Sequence, residues 1–167
     1  DNCNAYYVDD TIHKVRYIGL NSLNVPNSPT DINEDGTAKY VRFRNTRFRQ
    51  EQIDFVVNEA LVNGINDAWN IILFSHISPR INSSQYSDSS AMTYVLWAYQ
   101  NRLKHTYEYV GSEPWDTVSL NVDFTNAQGR IIGIFAGHNH VDDISQVALN
   151  VNCILTRCDA RQENTTD

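Results

Sequence analysis

The chain has 167 residues, 41% hydrophobic and 20% charged, enough to bury the core of one domain or a large piece of one. A formal charge of −7 argues against a nucleic-acid backbone as the main surface partner, because no positive field exists to attract phosphates. No apolar run reaches the length of a membrane span, and the three cysteines, Cys3, Cys153 and Cys158, are an odd number that makes no disulfide framework, so a reducing, cytoplasmic setting is expected.

In chain order, residues 5–8 and 14–20 (KVRYIGL) predict strands joined by a polar turn at Asp9–Asp10. A polar loop follows over 24–39, broken by Pro26, Pro29 and Gly36. From 50 to 61, Ile53, Val56, Val57, Ala60 and Leu61 recur at helical spacing, with Gly64 placed for a left-handed cap. Residues 70–75 (NIILFS) form an almost wholly apolar run, the mark of a strand covered on both faces. A serine-rich loop over 83–90 leads to a second helix over about 91–105, with Met92, Val95, Leu96, Tyr99 and Leu103 on one side. Residues 118–124 and 130–135 predict a hairpin across the turn at 126–129, and a last strand runs over about 150–156. The polar tail, about 157–167, is expected to be mobile. Alternating helices and buried strands give an α/β chain with no internal repeat or domain boundary.

The chemistry-bearing residues follow two buried strands. His76 ends IILFSH, and His138 and His140 end IIGIFAGHNH. Loops at strand ends are where open sheets place ligands, because the rigid strand fixes the loop's origin. Two residues apart in an extended segment, His138 and His140 would project to one side, about 6–7 Å apart at Cα. That spacing suits two ligands reaching a pair of metals about 3.5–4 Å apart. Gly137 removes a side chain where the backbone would pass close to the ions. Asn139, Asp142 and Asp143 flank the rings and are candidates to hold an imidazole by its other nitrogen.

The succession of the YIGLN strand, the RFRQEQIDFVVNEAL helix, the IILFSH strand and the segment ending in GHNH resembles the second half of calcineurin-like metallophosphoesterases. The resemblance covers most of the chain, and Gln52 with Phe55 matches a Gln–aromatic pattern of the family's helix. It implies the C-terminal half of a four-layer α/β/β/α sandwich. It also implies hydrolysis of a small phosphate ester, mono- or diester, at two divalent ions such as manganese, iron or zinc. By that resemblance His76 and His138 bind one metal and His140 the other.

The family's Asp-x-His, Gly-Asp-x-x-Asp and Gly-Asn-His-Asp/Glu motifs, which belong upstream, do not occur in this sequence. With the bridging carboxylate missing, the chain is expected to be a single partial domain over 1–167, inactive alone and short of upstream sequence. Asp1 in place of Met agrees with that expectation. Two other readings are a binding or assembly module with vestigial histidines, self-associating through the surface the absent half would cover, and a mononuclear zinc site.

Other motifs carry less. DINEDG (31–36) starts like a calcium loop but has Arg42 where the bidentate Glu belongs, which leaves a solvated loop. The alternating arginines of RFRNTRFR (42–49) read as an exposed basic edge, and His13 and His105 as surface residues.

Overall fold

The structure, a computed structural model, describes residues 4–26, 30–40, 46–79, 90–138 and 140–157. Its strands are β1 (Tyr6–Asp10), β2 (Val15–Leu20), β3 (Asn70–Ser75), β4 (Lys104–Tyr109), β5 (Val118–Asp123), β6 (Arg130–Ala136), β7 (Asp143–Ala148) and β8 (Val151–Leu155). Helix α1 (Gln50–Phe55) continues as a π-helical turn, Val56–Ala60, and α2 spans Ser90–Gln100. The protein is mixed α/β. Six strands form one sheet in the order β1-β2-β3-β6-β8-β7, and β4 and β5 pair separately. Strands β2, β3, β6 and β8 run parallel, while the edge strands β1 and β7 are antiparallel to their neighbours.

One face of the large sheet is covered. Ile18, Leu20, Ile71, Leu73, Ile131 and Ile134 pack there with Ile53, Val56 and Leu61 and with Met92, Val95, Leu96 and Tyr99 of α2. Helix α2 is buried on nearly every side because β4–β5 packs on it as well. Arg16 is 2% exposed on this face. Its guanidinium donates two 2.7 Å bonds to Asp9 and one of 3.0 Å to the Ala60 carbonyl at the end of the π turn. A buried charge is held only when paired and hydrogen-bonded, and Arg16 is both.

Among the described residues, no helix covers the opposite face. Tyr6, Val8, Tyr17, Phe74, Ile132 and Ile144 are exposed, and the rings of Tyr17, Phe74 and Phe135 lie in a row across three strands. This corrects the expectation that residues 70–75 are covered on both faces. In β3, Ile71, Leu73 and Ser75 are buried, but Phe74 between them is 45% exposed, because the described helices pack on the side of Ile71 and Leu73.

Three further expectations are corrected. The second helix ends at Gln100 rather than near 105, the left-handed Arg102 turns the chain, and KHTYEY becomes β4. The hairpin over 118–135 does not form. Strand β5 buries only Val118, Leu120 and Val122 on one face and pairs with β4, whereas β6, apolar on both faces, inserts between β3 and β8. A strand not expected from the sequence, β7, closes the edge beside β8.

Arg47 is not an exposed cation: it pairs with the buried Asp116, while Arg49 pairs with Glu51. Arg42 and Arg44 lie outside the described residues. His105 is half-buried against Tyr94 and Trp97, while His13 is exposed and bonded to Asp10. In DINEDG, Asp35 accepts from the backbone and hydroxyl of Thr37 in an exposed turn. Gly64 has the left-handed φ of +70° expected past the first helix. Cys153 is buried, its thiol donating to the Ser78 hydroxyl at 3.1 Å, whereas Cys3 and tail residues 158–167, Cys158 among them, lie outside the described residues. Among the described residues no helix is long and apolar enough to cross a membrane.

The one-sided sheet has a measurable signature. Leu73→Ala is expected to lower unfolding free energy by about 3 kcal/mol, the usual result of emptying a closed core site. Phe74→Ala, on the open face, is expected to lower it by about 1 kcal/mol. Urea midpoints of the two variants check this, and equal losses would mean that both faces of β3 are covered.

Candidate metal centre

The site is built by register. Parallel pairing of β3 with β6 sets Phe74 opposite Phe135 and Ser75 opposite Ala136, so the strands end together at one rim. The residues that follow are His76 on one side and Gly137–His138 on the other. The Gly137 N–H donates to the His76 carbonyl at 3.1 Å, extending the pairing one step beyond the sheet. The rings then meet: His138 Nδ1 lies 3.1 Å from His76 Nε2, with ring centroids 5.0 Å apart and planes inclined at 82°.

This separation can be tested against metal geometry. Two imidazole nitrogens each about 2.0–2.1 Å from a tetrahedral zinc lie about 3.3 Å from one another. The observed 3.1 Å is within a few tenths of that value, so the pair fits two corners of one ion's shell. In the absence of an ion a shared proton would hold the rings at the same distance.

His140 is placed differently from the sequence expectation. His138 and His140 have φ of +71° and +54°, so the segment is not extended and the two rings do not project as alternate residues of a strand. Strand β6 ends at Ala136, so both histidines lie beyond its extended backbone. His140 is exposed, yet close enough for its charge to act on His138. Among the described residues no three His, Cys, Asp or Glu side chains gather as a ligand set.

The flanking candidates are accounted for in part. Asp142 accepts from the Arg157 backbone at 2.8 Å, and Asp143 opens β7 as an exposed residue. Asn139 lies outside the described residues. A Cβ built on Gly137 would meet no atom within 4 Å, so packing is not what requires glycine there.

A cleft of about 480 Å³ opens beside the pair, lined at the rim by His76, Ser75, Gly137 and Thr156 and along the sheet by Tyr6, Phe74 and Phe135. Its size suits a small molecule. The backbone around His76 is fixed by groups that motif reading passed over. The Ile77 N–H donates to the Ser22 hydroxyl at 3.0 Å, and the Ser75 hydroxyl donates to the Ile77 carbonyl at 2.7 Å. Compared with known proteins, the chain matches no family model, no curated protein and no solved structure.

His138 has its pKa lowered from the ordinary 6.5, first by desolvation and then by the neighbouring charges of His76 and His140. A depressed pKa keeps the imidazole lone pair available at neutral pH. The unfolded chain therefore binds the extra proton first as pH falls, so this group lowers stability progressively from about pH 6.5 down to its folded midpoint. An NMR titration of the metal-free protein is expected to place the His138 midpoint below 6.5, with His76→Ala moving it upward.

Proposed function

We propose that this chain is the histidine-bearing half of a calcineurin-like metallophosphoesterase that hydrolyses a small phosphate mono- or diester. The observation that supports this reading most is the His76–His138 nitrogen pair, 3.1 Å apart at the C-terminal rim of parallel strands. His76 and His138 hold one divalent ion, and His140 belongs to a second whose remaining ligands lie outside this chain. Bound there, the ions would supply water activation and neutralise phosphoryl charge, chemistry that no side chain of the pair provides alone. The chain's own share is to present the paired imidazoles and to line the cleft in which the ester sits.

The four-layer sandwich belongs to the same proposal. The open face of the six-stranded sheet, with its row of Tyr17, Phe74 and Phe135, is where a second sheet would lie. A second sheet packs on a first at about 10 Å through apolar side chains of this kind.

The same open face favours a second reading, an assembly module that associates with its own copies through exposed apolar surface. Sedimentation velocity separates the two. Concentration-dependent dimers that Phe74→Asp abolishes, together with zinc binding unchanged in His76→Ala and His138→Ala, would support the module and remove the metal reading.

For the enzyme reading, calorimetry with zinc or manganese is expected to give one ion per chain, weakened at least tenfold by His76→Ala or His138→Ala. A longer protein that includes the missing carboxylates is expected to hold two ions and to cleave bis(p-nitrophenyl) phosphate. Loss of both histidines, 138 and 140, should abolish that turnover.

A further inference from the structure

Gln52 is a polar side chain in the middle of the apolar stripe of α1, and it is 0% exposed. Its amide makes a closed pair with one backbone unit: Oε1 accepts from the Asn21 N–H at 2.8 Å, and Nε2 donates to the Asn21 carbonyl at 2.9 Å. Asn21 is the first residue after β2, and its own side chain accepts from the Leu23 N–H at 3.1 Å, forming a tight turn. Ser22 lies inside this turn, 1% exposed. The Ser22 carbonyl accepts from the Arg47 N–H at 3.0 Å, and its hydroxyl accepts from the Ile77 N–H, the residue next to His76. A continuous hydrogen-bonded path thus runs from α1, through the exit of β2, to the loop that presents the imidazole.

We propose that Gln52 and Ser22 are positioning residues for the His76–His138 pair: the Gln52 amide sets the Asn21–Ser22 turn, and the Ser22 hydroxyl sets the backbone of the His76 loop. The value of this positioning to metal binding rests on the function proposed above; the positioning itself does not. The Ser22–Ile77 bond is buried and the Gln52–Asn21 pair partly so, so at the His76 loop a broken link has no water to replace it and the loop must shift to find another partner. A ring displaced by a fraction of an ångström no longer meets its neighbour at coordinating distance.

A plainer role exists for such glutamines. Gln50 makes the same closed amide pair with Ser119 of β5, and Gln100 makes it with Ile131 near the start of β6, far along the strand from His138. Those two tie helix to strand and touch no loop of the site. Gln100→Met is therefore the control, since it removes an equivalent pair of bonds away from the histidines.

The test compares Ser22→Ala, Gln52→Met and Gln100→Met in the full chain with three readouts. In metal-free protein, Ser22→Ala and Gln52→Met are expected to speed Ile77 amide exchange and erase the nuclear Overhauser contact between the His76 and His138 rings. Zinc affinity is expected to fall about tenfold in both, the low end of losses seen when groups behind a ligand are removed. Gln100→Met should change none of the three. Retention of Ile77 protection and of the ring contact in both site variants would overturn the proposal, as would an equal effect of Gln100→Met. If the unmodified chain binds no zinc, the metal reading fails while the two metal-free readouts still decide the positioning role. Should Gln52→Met fail to fold, Ser22→Ala, which deletes a single hydroxyl, decides alone.

Discussion

The parallel register between β3 and β6 is the constraint on which the candidate site depends. Because Ser75 is paired with Ala136, the two chains leave the sheet at the same level and the next residues can reach one another. The pairing contains one irregularity, between Ile71 and Ile72, which takes up the extra residue of β6 near its start. A bulge of this kind shifts the pairing by one residue and reverses which side chains face the core. Beyond it Leu73 and Ile134 are both buried, and the aromatic rings of Phe74 and Phe135 stack on the open side. The site inherits its geometry from this arrangement of the core.

The helices are locked to the strands by more than apolar contact. Gln50, Gln52 and Gln100 each return a side-chain amide to a complete backbone unit of a neighbouring strand or strand exit. Apolar packing alone has no direction and tolerates a sliding helix, whereas a two-bond amide pair admits one register. For a helix as short as α1, ending in a π-helical turn, that specificity matters more than length. Arg16 performs the corresponding task at the other end of the turn by taking the Ala60 carbonyl.

Much of this could be read from the residues, and the failures have physical causes. Strands β2, β3 and β8 stand out as short apolar runs, and the stripe of Ile53, Val56 and Ala60 marks the first helix. Strand β7 is hidden because an edge strand with exposed residues carries no apolar alternation; its sequence is DISQVA. Strand β4 is hidden because Leu103 continues the spacing of α2, although the alternation in KHTYEY was available as a signal. The supposed hairpin fails because β5 buries one face and β6 two, and strands of such different character belong to different sheets. Of the site, the meeting of His76 and His138 was legible in their positions after two buried strands. The part played by Ser22 was not, because a lone serine after a strand carries no pattern, whereas Gln52 could be noticed as a polar residue on an apolar stripe.

The left-handed backbone at His138 and His140 has one more implication. Glycine adopts that conformation freely and asparagine with little penalty, whereas most other side chains lose about 1 kcal/mol to contact with their own carbonyl. Histidine, with asparagine and aspartate, is among the side chains that enter the region most often. The loop after β6 has an imidazole at both positions, φ +71° and +54°, so each ring leaves the backbone in a direction that continued strand geometry would not give it.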